Sequence, residues 1–157
     1  MSVPLRILPP PTTPMGETMA KANYTHLTLV VDRSGSMGSL ASDATGGINA
    51  IIKEQLAEDG EFTFTLIEFD NSSDIVARMS SAELTYELKP RGGTALFDAI
   101  QVGFAVTEED LSKLSDADKP EVTIFMIVTD GHENASRETR ASDVRRLIQS
   151  GRDQGWD

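Results

Sequence analysis

The amino-acid sequence predicts an α/β fold, a doubly wound, mostly parallel open sheet with helices on both faces. Two short apolar runs point to it first: Leu27, Leu29, Val30 and Val31 lead into Asp32, and Val122 to Val128 leads into Thr129 and Asp130. Runs of this length that are apolar on both faces and end in turn residues suit the middle strands of a parallel sheet. Segments with helical spacing of apolar residues separate the strands, and that alternation implies a sheet covered on both sides.

Taken in order, the chain begins with Pro4, Pro9, Pro10, Pro11 and Pro14, which leaves only Pro90 and Pro120 for the remainder. Residues 1–21 are therefore expected to form an extended tail and 22–157 a single domain. After the first strand, Ile48, Ile51, Ile52 and Leu56 recur at helical spacing. Phe62, Phe64 and Leu66 alternate with Thr63, Thr65 and Ile67 as in a strand, and Ile75 to Met79 follows a turn of Asp70, Asn71, Ser72 and Ser73. That pair predicts a hairpin whose second strand is an antiparallel sheet edge. Leu96, Ile100 and Phe104 mark the next helix, and Val144, Leu147 and Ile148 the last. Gly155 suits the C-terminal cap of that last helix, and Trp156 with Asp157 would open a further strand. On this count the sheet ends with the strand Val122 to Val128 as an open apolar edge. The expectation is a fragment of a longer product, or an edge covered by a partner or by the Pro-rich segment.

Composition narrows the function. Hydrophobic residues at 39% and charged residues at 25% are ordinary globular usage, and no apolar run approaches the roughly 20 residues of a spanning helix, so no membrane partner is expected. A formal charge of −11 argues against nucleic acid, whose phosphates are bound by Lys and Arg. The complete absence of cysteine excludes thiolate metal sites and cysteine nucleophiles, leaving oxygen ligands and the imidazoles of His26 and His132. The N-terminal apolar stretch is too short and too interrupted for a secretory signal, which predicts a cytoplasmic protein.

Ligands of such sheets gather at the carboxyl ends of the strands, where strand order reverses. Asp32 and Asp130 end the two apolar strands, and if those strands are neighbours roughly 4.8 Å apart, both carboxylates share one crevice. Two carboxylates that close need a cation or a proton between them. Ser34 and Ser36 follow Asp32 at alternate positions, and Thr94 adds a hydroxyl at the start of a helix. Gly35 and the pair Gly92 and Gly93 would permit the tight turns that aim these side chains inward. Carboxylates and hydroxyls are hard donors, suited to Mg2+, Mn2+ or Ca2+ rather than to zinc or copper.

Asp32, Ser34 and Ser36 spell D-x-S-x-S, Thr94 lies in a Gly-Gly-Thr segment that opens a helix, and Asp130 lies in Thr-Asp-Gly. Together they resemble the metal-ion-dependent adhesion site of von Willebrand factor A domains, and the element order matches from Thr25 to the C-terminus. The resemblance implies that Ser34 and Ser36 bind the metal directly, Thr94 directly or through water, and Asp32 and Asp130 mainly through water. It also implies an open coordination position for an Asp or Glu carboxylate of a partner protein, in a module that is not an enzyme.

Singly, each of these residues has a plainer explanation: a polar turn at Ser34 to Ser36, a helix cap at Thr94, a turn at Asp130 and Gly131. Their joint placement at the right ends of the right elements favours the metal. His26 is expected to be structural, His132 and Glu133 to lie in a solvated loop, and Glu108, Glu109 and Asp110 to form a solvated helix end. Asn134, Ala135 and Ser136 match a glycosylation triplet by pattern alone. An alternative is a magnesium-dependent phosphatase or phosphotransfer enzyme with Asp32 as nucleophile. Against it, Ser34 stands where a second aspartate is needed, and only Lys89 and Arg91 offer positive charge near Thr94. A serine hydrolase lacks its Gly-x-Ser-x-Gly. A third reading is a subunit of a larger ATPase-linked, viral or secretion assembly.

Overall fold

The computed structural model describes residues 20–157. The tail expected over residues 1–21 lies outside the described residues except at its end, where Lys21 already belongs to the first strand. The strands are β1 (Lys21–Asp32), β2 (Glu61–Phe69), β3 (Ser73–Ser80) and β4 (Pro120–Val128). The helices are α1 (Ala41–Ala57), α2 (Leu96–Ser112) and α3 (Ala141–Asp153), with short 3-10 turns at Gly35–Ser39 and Asp116–Asp118.

Sheet order is β3-β2-β1-β4, with β1 parallel to both β2 and β4, and β3 antiparallel to β2. The chain leaves β1 on one side to form β2 and β3, then crosses to the other side to form β4. Strand order therefore reverses at β1, and the crevice lies at the ends of β1 and β4. Alternation along β1 divides two cores. Leu27, Leu29 and Val31 face α1 with Ile48, Ile52, Phe64 and Leu66, while Val30 faces α2 and α3 with Ala99, Ile100, Phe104 and Val144.

One chain of hydroxyls crosses the buried α2 face of β1. Thr107 donates to the Gly103 carbonyl at 2.8 Å, so the Thr28 hydroxyl, 2.7 Å away, donates to Thr107. Thr28 then accepts from His26 Nε2 at 3.2 Å, and His26 Nδ1 accepts from the Thr63 hydroxyl at 2.8 Å. The chain fixes the imidazole as neutral with its proton on Nε2. Burial pushes the His26 pKa down to about 4, against a smaller opposing pull from the Asp110 charge. His26 is structural, as expected.

The charged run at the end of α2 departs from its expected solvated role. Glu108 and Glu109 are exposed, but Asp110 is buried, because it shares a helical face with Thr107 and Leu111. Arg78 of β3 meets both its oxygens, each at 2.8 Å, which ties the edge strand to α2.

At the other edge, α3 closes as anticipated: Gly155 has a φ of +83°, its N–H meets the Arg152 carbonyl, and the Trp156 N–H reaches Gly151 at 2.9 Å. Trp156 then packs against Phe104 with ring centroids 5.2 Å apart and the planes tilted by 32°. Asp157 donates to the Thr123 carbonyl at 2.9 Å and accepts from Phe125 N–H at 2.8 Å, a parallel bridge onto the outer side of β4.

The neutral His26 makes acid stability predictable. Its folded pKa lies below the unfolded 6.5, so the native state gains stability above that value and loses it as pH falls from 6.5 towards 4. The total loss is about 3 kcal/mol. Urea denaturation between pH 7.5 and 4 should show it, and imidazole 15N spectra at pH 5.5 should show His26 still neutral. A His26 that titrates near 6.5 in the folded protein would contradict the assignment.

Candidate metal centre

Asp32 closes β1 with no exposed surface. Its Oδ1 accepts the Ser34 N–H at 2.7 Å and its Oδ2 accepts the Thr129 hydroxyl at 2.9 Å. One carboxylate thus joins the turn after β1 to the end of β4. Within that turn the Ser34 and Ser36 hydroxyl oxygens stand 3.0 Å apart. The Ser36 hydroxyl beside Asp130 holds that carboxyl below the usual carboxylate range, and the His132 N–H adds to the effect at 3.2 Å from Oδ1. Asp32, Ser34, Ser36 and Asp130 are brought together at the mouth of the β1–β4 crevice.

Thr94 arrives on a strap sewn to the same turn. Arg91 N–H donates to the Arg33 carbonyl at 2.7 Å, and Gly35 N–H to the Gly92 carbonyl at 3.0 Å. Gly92 has a φ of +73°, and a Cβ there would lie 2.8 Å from Asn71 Oδ1, so this position requires glycine. Gly35 differs from expectation: its φ is not positive, and a Cβ would meet only the Gly92 carbonyl at 3.6 Å. The tight approach comes from the strap rather than from the serine turn. Thr94 is buried but does not cap α2, whose N-cap is Ala95. That removes the plainest alternative for the threonine.

Among the described residues no three His, Cys, Asp or Glu side chains gather as a metal group. A centre here would combine two carboxylates with hydroxyls, and that donor chemistry fits a small hard cation such as Mg2+. Neither imidazole joins it: His26 lies buried mid-strand and His132 is exposed. Glu133 is not merely solvated; it accepts the Ala135 N–H, the Ser136 N–H and the Ser136 hydroxyl, which shapes the loop after β4.

Sequence reasoning missed Arg33. Its side chain is 7% exposed and lies among Glu68, Asp70 at 3.2 Å and Asp74 at 2.6 Å. Glu68 also accepts the Tyr86 hydroxyl at 2.9 Å, and Asp70 meets Arg91 at 2.8 Å. Burial alone would raise the Asp70 carboxyl, but the Ser72 N–H and the guanidiniums of Arg91 and Arg33 outweigh it and hold it low. Arg33 alternates with the two serines, so the turn that points hydroxyls at the crevice points the guanidinium at β2 and β3. The available signal was a lone arginine inside D-x-S-x-S, opposite three acids on the following hairpin: Glu68 on β2, Asp70 in its turn and Asp74 on β3.

This sheet order with its strand-end crevice defines a von Willebrand factor A-like α/β fold. No protein-family model matches the sequence, and no curated protein matches it. Among solved structures, the von Willebrand factor domain of the type V pili tip protein Mfa5 from Porphyromonas gingivalis superposes with a TM-score of 0.57 at 16% identity, covering 82% of this chain and 50% of that one. A von Willebrand factor type A protein from Catenulispora acidiphila gives 0.57 at 19% identity over 82% of this chain and 31% of that one. The PilB minor pilin from Streptococcus sanguinis gives 0.53 at 19% identity over 76% and 32%. The chain spans half or less of each of these solved chains.

Replacement of Arg33 by alanine leaves Glu68 without its counter-charge and Asp70 with only the exposed Arg91, which should cost about 3 kcal/mol. Urea unfolding of Arg33→Ala beside the parent protein measures it. A loss below about 1 kcal/mol would place the pair among weak surface bridges.

Proposed function

We propose that this domain binds a partner protein through a divalent metal held by Asp32, Ser34, Ser36, Thr94 and Asp130, without catalysing a reaction. The carrying observation is the approach of the two serine hydroxyls, 3.0 Å apart, between carboxylates that end neighbouring parallel strands. Mg2+, Mn2+ or Ca2+ bound there would supply a positive centre that accepts an Asp or Glu carboxylate from the partner. The roles of the chain's own residues follow from their surroundings. Ser34 and Ser36 present the hydroxyls, Asp32 fixes the turn that carries them, and Asp130 balances the charge from β4.

The phosphatase alternative is weakened by Asp32 itself, which is buried with both oxygens engaged and so is poorly placed to attack a phosphorus atom. The likeness to pilus tip and minor pilin structures supports the reading as one subunit of a larger assembly, with the metal as its docking point. The cysteine-free donor set works in any redox compartment.

Two outcomes test the proposal. Metal at a hundredfold excess over its Kd should stabilise the fold by about 2.7 kcal/mol, a rise of roughly 8 °C in Tm, and Asp130→Ala should abolish the rise while keeping its far-ultraviolet circular dichroism. Equal metal responses in both proteins would contradict the site. Capture of the partner should fail in EDTA and return with Mg2+, and a complex indifferent to chelation would contradict the docking role.

A further inference from the structure

Beside Thr94 lies a groove of about 610 Å³ lined by Asn71, Asn134, Ala135, Ser136 and Arg137. Its polar atoms are oriented by the backbone. Asn71 Oδ1 accepts the Gly93 N–H at 2.8 Å, and Asn134 Oδ1 accepts the Thr94 N–H at 2.9 Å. A backbone N–H can be met only by the amide oxygen, which leaves both NH2 groups available to donate. Neither NH2 has an acceptor among the described residues, nor does the Arg137 guanidinium have a carboxylate there. The Ser136 hydroxyl is already used, accepting from Asp98 N–H and donating to Glu133. The groove therefore offers two amide donors and one guanidinium and carries no acid of its own, on a chain whose net charge is −11.

The backbone under these donors is firmly held. Asp98 accepts the N–H groups of Arg137, Glu138 and Thr139 at 2.8, 3.2 and 2.8 Å; burial alone would raise its carboxyl, but these donors stabilise the charged form and keep it low. Asn134 N–H and Ala135 N–H both donate to the Thr94 carbonyl. Donors fixed before a ligand arrives cost little ordering entropy on binding. A planar guanidinium that lines one groove with two amides matches a carboxylate, which can accept two parallel bonds.

We infer that this groove binds a carboxylate, and that it is the second anchoring point for an acidic partner segment whose first carboxylate goes to the metal. The second half of the statement rests on the proposed metal-dependent docking; the first half does not. The partner chemistry is thus narrowed from any exposed Asp or Glu to a segment carrying two acidic side chains.

The probe is succinate, titrated at constant ionic strength into 15N-labelled protein in EDTA and again in Mg2+. The side-chain NH2 signals of Asn71 and Asn134 should move in both buffers, at lower succinate when Mg2+ is present. Arg137→Gln should raise the half-saturating concentration at least threefold, and neutral succinamide should leave the signals in place. Unmoved NH2 signals in both buffers, identical titrations of the parent and Arg137→Gln, or an equal response to succinamide would each overturn the carboxylate site. The metal reading is judged separately by Mg2+ alone. If Mg2+ leaves the Ser34, Ser36 and Thr94 amides unmoved, the docking reading fails and the groove loses its role as a second anchor, whatever succinate does.

Discussion

Both oxygens of Asp32 are engaged at the end of β1, one by the Ser34 N–H and the other by the Thr129 hydroxyl. An acid with no exposed surface at a strand end is costly unless its charge is met, and these two donors meet only part of it. The arrangement fixes the serine turn against the end of β4 and brings Ser34, Ser36 and Asp130 into one place. A cation at that place would supply the remaining compensation. The sheet order and the candidate site are thus one constraint: β1 must lie beside β4, or Asp32 and Asp130 never share a crevice.

The opposite side of the same turn is governed by Arg33. Its guanidinium gathers acids from β2 and the start of β3, while its backbone carbonyl accepts from Arg91 on the strap. The hydroxyls on one side are positioned by the charge cluster on the other. The strap then passes this order onward through Thr94 to Asn134, which is how a loop following β4 comes to border the site.

The elements of the fold were legible because each announces itself locally. Leu27 to Val31 is a buried middle strand, Val122 to Val128 a half-buried one at the end of the sheet, and the hairpin edge at Ile75 to Met79 and the glycine cap at Gly155 stand where their residues place them. Asp32, Ser34 and Ser36 were legible for the same reason, since alternation within a few residues sets direction. Arg33 was not, because its meaning depends on carboxylates 35 to 41 positions away. Asp110 was misread as part of a solvated run because three consecutive charges on a helix face three directions, and only the one beside Thr107 and Leu111 turns inward. Asn134 carried only a modification pattern in sequence, whereas in the fold it holds the Thr94 backbone from 40 residues away.

The central claim is that the oxygens at the ends of β1 and β4 form a place for a divalent ion. Anomalous diffraction from crystals grown with Mn2+ locates such an ion directly. One peak is expected, bordered by the Ser34 and Ser36 hydroxyls on the β1 side and by Asp130 on the β4 side. Crystals in millimolar Mn2+ with no peak there, or with manganese bound only elsewhere, would contradict it.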